Sequence, residues 1–407
     1  MITANEAHKI ILENVVPLGE EALSLCQTLF RRLASPIFAP ICLPPFTHAA
    51  MDGFAVRSGD TKAACLSSPV SLEVANTVGA GPVRATGRSP LLSNQAVRIM
   101  TGAPLPAGVD AVVPFEEAQS EGKSCRLFRS VVHGDNVRKA GEDVLKGQKI
   151  LEVGERITPR TIALLASVGI QNISVFRQPR VAIISTGSEL VEPGRPLCDG
   201  EIYNSNGPAL ISSLQEIGLE PAVVSKVSDI EEDLAQTIQQ QLKYDVLITM
   251  GGVSAGDYDL VPKVLQKLGA RILFHKVAIK PGKPLLFGTR GKTVVFGLPG
   301  NPVSAYMVFD RFVRPALLKM MGARQPFRER RVAEAEEELA GTKGKEDYLR
   351  GVVNYIGGHY LARSAGVQGS ARLLPLARAN ATLIIPASQE KIHKGESVEI
   401  ELLEGER

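Results

Sequence analysis

The sequence predicts a multidomain chain that combines a doubly wound parallel α/β domain with β-rich domains and an N-terminal helical part. The first observation is the length, because 407 residues exceed what one hydrophobic core usually organises. The second is that short β-branched strands alternate with helical segments between residues 177 and 325, which is typical of a parallel sheet covered by helices. The third is the run of short strands, separated by glycine and proline, on either side of that region.

The first predicted domain joins residues 1–45 with residues 145–176 as an elongated helical linker. Thr3 and Glu6 have the spacing of a capping box ahead of apolar positions, which predicts a helix that begins at Thr3. Two more helices are predicted in this domain, over residues 21–33 and over residues 158–168, the latter with Pro159 at the favoured first position.

Two β domains are predicted, one before and one after the α/β region. Residues 46–144 form a β-rich domain with strands at residues 71–78, 96–100, 111–115 and 125–132. Residues 326–407 form a small C-terminal β-barrel domain with strands at residues 348–355, 382–385 and 397–402.

Residues 177–325 carry the α/β pattern. The predicted strands are residues 181–185, 220–227, 245–250, 272–277 and 293–296. The predicted helices are residues 209–217, 230–242, 260–268 and 302–321. Strands that are apolar on both faces and are followed by helices predict a parallel, doubly wound sheet.

Charge and cysteine content exclude several classes of protein. The chain has 46 basic and 43 acidic residues, so no strong overall field attracts nucleic acid or an anionic membrane. Its five cysteines contain no C-x-x-C pair and fit neither a disulfide framework nor a zinc ribbon. The N-terminus lacks the pattern of a secretory signal, and no apolar run is long enough to span a bilayer. We therefore expect a cytoplasmic protein that binds neither nucleic acid nor membranes.

Glycines, carboxylates and lysines follow the predicted strands of the α/β region at the points where those strands end. Because the carboxyl ends of parallel strands meet at one edge of a sheet, we expect these residues to lie close together. Glycine lets backbone N–H groups approach phosphate oxygens, lysine supplies positive charge, and carboxylates hold Mg²⁺. The candidates are Glu189, Asp229, Gly251, Gly252, Asp257, Asp259, Lys280, Lys283, Pro299, Asn301 and Pro302.

Each of these elements alone also has a structural explanation. Asp229 could cap the following helix, and Asn301-Pro302 is typical of a helix start. Their coincidence at one sheet edge favours a magnesium-dependent site for a phosphorylated substrate, with Glu189, Asp257 and Asp259 as the metal ligands and Asp229 as a further candidate.

A competing interpretation is a serine hydrolase. Gly252, Ser254 and Gly256 have the spacing of a nucleophile elbow that follows a strand. Ser254 would then be the nucleophile, and the base would be one of the downstream histidines, His275, His359 or His393. Asp257 and Asp259 stand next to this serine, and that crowding favours a turn that binds metal and phosphate instead.

Eight short motifs occur in order along the chain. They are MDGFAV (51–56), TGAP (101–104), GED (141–143), STGSEL (185–190), GGVSAGDYD (251–259), KPGKP (280–284), GLPGNP (297–302) and QGS (368–370). With them the chain resembles the molybdopterin molybdenumtransferase family, called MoeA in bacteria and represented by the C-terminal domain of gephyrin. It departs from the family's usual residues at His48, Ala49, Phe54 and Ser188.

The resemblance implies an enzyme of molybdenum cofactor biosynthesis. Such an enzyme takes adenylylated molybdopterin and molybdate, cleaves the adenylate with the help of Mg²⁺, releases AMP and leaves molybdenum on the dithiolene. The resemblance also implies an elongated homodimer, whose active cleft combines the doubly wound domain of one subunit with the β-rich domain of the other. The implied partners are the adenylyltransferase that supplies the substrate and the molybdoenzymes that accept the product.

The resemblance assigns roles to residues of this chain. Lys280 and Lys283, together with Arg350 and Ser370 of the C-terminal domain, resemble the family's molybdate pocket, where cationic and hydroxyl donors suit a tetrahedral dianion. The catalytic candidates are Asp52, Thr101, Asp143, Asp229, Asp257, Lys280 and Lys283. The substrate-binding candidates are Gly251, Gly252, Ser254, Asp259, Pro299, Asn301, Pro302, Arg350 and Ser370.

A scaffold protein is the second class of function that the resemblance permits, because gephyrin-like chains can cluster partners. The presence of Asp257, Lys280 and Lys283 favours catalysis instead.

Overall fold

The computed structural model describes residues 1–81, 90–253 and 260–403. Within them the chain forms a largely antiparallel sheet, a helix-covered α/β sheet and a closed β-barrel, together with short two-stranded ladders. The predicted fold class, a multidomain chain with α/β and β parts, is confirmed. Every described helix is too short or too polar for a transmembrane span, and all five cysteines are free thiols.

The chain begins with a helix over Ala4–Glu13, and its start is as predicted. The Thr3 N–H donates to the Glu6 carboxylate at 2.8 Å, and the Glu6 N–H donates to the Thr3 hydroxyl at 3.2 Å. The buried residues Ala7 and Ile11 pack into the core of the α/β sheet. By its packing this helix belongs with the α/β core, although the sequence pattern grouped it with the linker.

The predicted helix over residues 21–33 is wrong. The segment contains a strand, Glu20–Ser24, and a 3₁₀ turn, Leu25–Gln27. The strand pairs antiparallel with Asn172–Phe176, and this pairing overrides the local helical pattern because it packs Leu23 against a core shared with Ile173 and Val175. The remaining elements of this part are the helix Pro159–Ser167, as predicted, and the ladder of Ile37–Phe38 with Lys149–Leu151.

The β-rich region holds one sheet with a core on each face. Among the described residues its strand order is Ala111–Pro114, Gly53–Val56, Gln95–Ile99, Val70–Val78, Ser124–Leu127 and Ala118–Glu121. Leu72 and Leu127 lie in one core, and Ile99 and Val112 lie in the other. The region also contains a ladder of His48–Ala49 with Val137–Arg138 and 3₁₀ turns at Ser58–Thr61 and Phe115–Glu117.

The α/β sheet is mixed, and here the prediction of an all-parallel sheet needs a correction. Its strand order is Pro221–Val227, Val181–Thr186, Val246–Met250, Thr293–Leu298, Leu286–Arg290 and Arg271–His275. The first four are parallel. Leu286–Arg290, which the sequence pattern missed, runs antiparallel to both of its neighbours. Arg271–His275 therefore runs in the same direction as the parallel strands and ends at the same edge of the sheet.

Helices cover both faces of this sheet, as a doubly wound fold requires. Val181 and Ile183 face one core, whereas Ala182 and Ile184 face the other, because side chains alternate along a strand. The helices are Asn206–Glu216, Glu231–Gln241, Leu260–Lys267, Pro302–Val308 and Arg314–Met320, with a π-helical turn at Phe309–Val313 between the last two. A ladder of Leu190–Val191 with Ile202–Tyr203 lies beside the sheet.

The C-terminal region closes into a five-stranded barrel. Around the barrel the strands are Glu346–Ile356, His359–Ser364, Arg330–Ala335, Ser397–Leu402 and Ala381–Ile385, and the last pairs back with the first. The strand Ile279–Lys280 of the α/β region adds to Glu346–Ile356. This pairing docks the barrel against the carboxyl edge of the α/β sheet. The helix Leu373–Arg378 and the ladder of Leu339–Ala340 with Lys391–Ile392 complete the region.

Candidate active site

Two adjoining clefts lie beyond the carboxyl edge of the α/β sheet. The sheet-edge cleft, about 450 Å³, is lined by strand ends and the turns that follow them, including Gly187, Glu189, Asp229, Gly251 and Gly252. The barrel cleft, about 580 Å³, lies between the loop of residues 280–284 and the barrel, and its lining includes Lys280, Lys283, Asp347, Arg350 and Ser370. Asn301 lines both clefts. The residues expected at one edge are therefore divided between two neighbouring spaces.

Backbone turns shape the sheet-edge cleft. Gly251 has φ of 94°, and a Cβ atom there would lie 2.6 Å from the Thr186 hydroxyl oxygen and 2.9 Å from the Thr186 carbonyl oxygen. Any larger residue would clash with the neighbouring strand and strain its own backbone. The two strand ends therefore approach each other closely, and the Gly251 N–H donates to the Leu298 carbonyl at 3.0 Å.

Two carboxylates of the predicted metal site are described, and both are exposed on the sheet-edge cleft: Glu189 and Asp229. Asp257 and Asp259, the other predicted ligands, and Ser254 lie outside the described residues. Within residues 1–81, 90–253 and 260–403 no group of three or more His, Cys, Asp or Glu side chains is arranged to hold a metal ion.

The barrel places Lys280 opposite Asp347. In the pairing of Ile279–Lys280 with Glu346–Ile356, Lys280 is the register partner of Asp347. The Lys280 ammonium donates to the Thr342 hydroxyl at 3.0 Å and lies 4.0 Å from the Asp347 carboxylate. Lys283 is exposed at the far end of the same short loop. Both lysines therefore line one cleft.

Arg350 contributes a buried positive charge to the barrel cleft. The residue is 2% exposed, and its Nη2 donates to the Gly369 carbonyl at 3.1 Å. Burial lowers the pKa of its guanidinium because the charged form loses hydration. The Gln368 side chain bonds both backbone groups of Arg350 at 3.0 Å, which pins the strand beside the cleft.

The loop of residues 299–302 separates the two clefts. Asn301 donates to the Ser370 hydroxyl at 3.3 Å, and Asn206 donates to the Gly300 carbonyl at 2.7 Å, so the loop is tied to both the C-terminal region and the helix Asn206–Glu216. Pro299 lines the barrel cleft. Pro302 is the first residue of the helix Pro302–Val308, which agrees with the structural explanation considered for it.

Sequence reasoning missed Asp347, which is 1% exposed and lines the barrel cleft. Burial raises the pKa of its carboxyl, since the charged form is desolvated. The one signal in the sequence is its position three residues before Arg350. Asp347 lies close to Lys280 because two segments far apart in the sequence pair as strands, and local sequence patterns do not encode that pairing.

Three family models match the chain in succession. They are described as the MoeA N-terminal region (domain I and II) over residues 2–169, a probable molybdopterin binding domain over residues 182–319, and the MoeA C-terminal region (domain IV) over residues 332–403. The chain belongs to the MoeA family.

Relatives in the family match over nearly the full length. The chain is 37% identical to a molybdopterin molybdenumtransferase of Bacillus subtilis, with 95% of this chain and 90% of that protein covered. It is 36% identical to a molybdopterin molybdenumtransferase of Haemophilus influenzae, with 98% of each chain covered. The crystal structure of the molybdopterin biosynthesis MoeA protein from Pyrococcus horikoshii matches with a TM-score of 0.81 at 30% identity, covering 99% of this chain and 100% of that chain. The family is thus one of transferases.

The remaining site candidates of this MoeA family member lie in the β-rich region. Asp52 accepts hydrogen bonds from the Thr101 N–H at 2.6 Å and from the Thr101 hydroxyl at 2.7 Å, and both residues are exposed. These bonds hold the pKa of the Asp52 carboxyl below its usual value. Asp143 is also exposed. Among the described residues that line the two clefts, none comes from the β-rich region.

Proposed function

We propose that this chain inserts molybdenum from molybdate into molybdopterin, with cleavage of adenylylated molybdopterin and release of AMP. The observation that carries the proposal is the pair of adjoining clefts that share Asn301, one bordered by glycine turns and carboxylates and the other by cationic side chains. The names of the full-length relatives support the same activity.

The barrel cleft is the proposed molybdate site. Molybdate is a tetrahedral dianion, and Lys280, Lys283 and Arg350 supply three positive charges around one space. Arg350 offers several N–H donors in a fixed plane, and the Ser370 hydroxyl adds a donor from the barrel. The lysine ammonium groups are compact charges on flexible side chains, so they can adjust to the position of the anion.

The sheet-edge cleft is the proposed site of the adenylylated pterin's phosphates. Its glycine turns border the cleft, and the adjoining loop of residues 299–302 leads directly to the barrel cleft. A substrate bound across Asn301 would therefore present its dithiolene and its phosphoanhydride to different chemical groups. This separation lets one side bind the anion and the other stabilise the departing AMP.

Glu189 and Asp229 fit a magnesium site. Mg²⁺ keeps several waters and is commonly held by one or two carboxylates plus substrate phosphates, so two exposed carboxylates on a phosphate cleft are a suitable donor set. When bound, the ion neutralises charge on the leaving phosphate. Asp257 and Asp259 remain proposed ligands from outside the described residues.

A homodimer is part of the proposal. Asp52, Thr101 and Asp143 match family positions that face the cleft, yet no described lining residue of either cleft comes from their region. In a dimer these side chains would complete the clefts of a second copy. The adenylyltransferase that supplies the substrate, the acceptor molybdoenzymes and a cytoplasmic location are further expectations of this function.

The two alternatives receive less support. Of the three candidate bases of a serine hydrolase, His359 and His393 belong to the C-terminal region, and the His275 Nε2 atom is bonded to the Val253 carbonyl at 2.7 Å. For a scaffold, an intact set of cleft cations would have no use. Labelling of Ser254 by a fluorophosphonate would favour the hydrolase.

The test is to incubate the protein with adenylylated molybdopterin, Mg²⁺ and molybdate, and to measure AMP release and reconstitution of a molybdoenzyme. We expect both products from the wild type. The Glu189→Gln variant should need more Mg²⁺ for half-maximal AMP release, by about tenfold, because one charged ligand is lost. The matched control is Glu220→Gln, since Glu220 is exposed beside the opposite end of the strand Pro221–Val227. Folded wild-type protein that forms neither product would refute the proposed function.

A further inference from the structure

Asp347 is the buried carboxylate of the barrel cleft, and its environment does not suit a negative charge. One oxygen, Oδ2, has no hydrogen-bond partner among the described residues. The other, Oδ1, accepts a long bond of 3.4 Å from the Thr342 hydroxyl. An ionised carboxylate inside a protein normally gathers several donors, because it has lost its hydration shell.

The charged groups near Asp347 compensate only weakly for this burial. Lys280 lies 4.0 Å away, but its side chain is 60% exposed, so its charge is largely screened by water. Lys345, in the turn before the strand, lines the same cleft and also lowers the pKa of Asp347, but less than burial raises it. The strand packed on the other side places Ile385 opposite Asp347 and supplies no titratable group. The pKa of Asp347 is accordingly raised.

An anion in the same cleft would strengthen this preference. A dianion held by Lys280, Lys283 and Arg350 would be repelled by an ionised Asp347 on the same cleft wall. A protonated carboxyl removes that repulsion and offers an O–H donor. Carboxylic acids kept neutral by apolar surroundings are known to donate hydrogen bonds to oxyanions in this way.

We propose, on the basis of the function proposed above, that Asp347 takes up a proton when molybdate enters the barrel cleft and holds the anion as a neutral carboxylic acid. Asp347 is then a specificity-determining residue, because it favours a ligand that accepts a hydrogen bond. The proton comes from solvent and no covalent bond changes.

The pH dependence has a definite sign. Where free Asp347 is ionised, above its own pKa, binding consumes a proton, so molybdate affinity falls as pH rises, by at most about tenfold per pH unit. Below that pKa the carboxyl is already protonated, and the affinity becomes independent of this group.

The experiment is calorimetric titration of the wild-type protein with molybdate alone, over a pH series and in buffers of different ionisation enthalpy. We expect net uptake of up to about one proton per bound anion on the alkaline side. The Asp347→Asn variant keeps the shape and an N–H donor but cannot titrate. It should bind molybdate with an affinity that no longer falls with pH, and at alkaline pH it should bind more tightly than the wild type.

Glu338→Gln is the matched control. Glu338 lines the same cleft but is exposed and paired with Lys391 at 3.2 Å and with His393 at 3.3 Å, so an anion gains little from its neutralisation. This variant should keep the proton uptake of the wild type. A thermal unfolding curve shows whether each variant is folded.

The outcomes separate the two proposals. Binding without proton uptake, or loss of binding at every pH in a folded Asp347→Asn variant, overturns the role of Asp347 and leaves the molybdate site in place. The second result would show that Asp347 works as a carboxylate that orients Lys280. Absence of molybdate binding by the wild type overturns both the inference and the proposed function of the cleft.

Discussion

The sheet-edge cleft and the barrel cleft adjoin each other but hold their chemical groups in different ways. In the first, Glu189 and Asp229 are exposed, and the close approach at Gly251 involves backbone. In the second, Asp347 and Arg350 are almost completely buried. The first cleft is a product of strand ends within one sheet, whereas the second exists only where the barrel docks on that sheet. Substitutions in the barrel cleft should therefore mainly lower activity, whereas substitutions at the strand ends of the sheet-edge cleft should mainly lower the free energy of unfolding.

The largest effect is expected from Arg350→Gln in the barrel cleft. Loss of the buried charge should lower molybdate-dependent AMP release by about 100- to 1,000-fold, because a preorganised cation is removed from the anion site. The free energy of unfolding should change by less than about 1 kcal/mol, since relief of charge desolvation offsets one lost hydrogen bond. Turnover and thermal unfolding, measured on the same preparation, check both values.

Arg363→Gln is the control for this substitution. Arg363 is exposed on the neighbouring strand, lies outside the residues that line the cleft and forms an ion pair with Glu336 at 3.8 Å. It should alter neither rate nor stability appreciably. Full turnover in the Arg350→Gln variant would show that the buried charge of the barrel cleft is not needed for activity.

In the sheet-edge cleft the larger effect should be on stability. Gly251→Ala combines a left-handed backbone with a contact of 2.6 Å to Thr186, so we expect a loss of about 3 kcal/mol in the free energy of unfolding. Gly291→Ala is matched in backbone, with φ of 59°, but no atom lies within 4 Å of its Cβ position, and it should cost about 1 kcal/mol. Denaturant unfolding curves measure both. Equal losses would show that the close approach to Thr186 is unimportant.

The smallest effect concerns Asp52, which lines neither cleft. Its lowered pKa means that its contribution to stability is present above the usual Asp pKa and is lost as pH falls through the lowered value. In an NMR titration, Thr101→Ala should move the Asp52 midpoint upward but only part of the way, because the backbone N–H of residue 101 still donates. Thr47→Ala, whose hydroxyl bonds Ala140 instead, should leave that midpoint unchanged. An unmoved midpoint in Thr101→Ala would show that the hydroxyl does not hold the carboxylate.

Local patterns were sufficient for most elements and for one of the two clefts. The capping pair Thr3 and Glu6 marked the start of the first helix, because the two hydrogen bonds span only three residues. Buried parallel strands were recognisable by apolar runs, and the glycines and carboxylates after them share an edge for geometric reasons. Residues 21–33 were misread as helix because their strand is stabilised by Asn172–Phe176, far away in the sequence.

The sequence by itself determined the fold class, the family motifs and the set of charged residues available for chemistry, since each of these depends on residue type and local spacing. Only the tertiary structure decided that Lys280 faces Asp347 and that Arg350 is buried beside them. The physical reason is that burial and strand pairing are made by segments about seventy residues apart. The sequence shows only that residue 347 is an aspartate, whereas the protonation of its carboxyl group depends on the cleft that surrounds it.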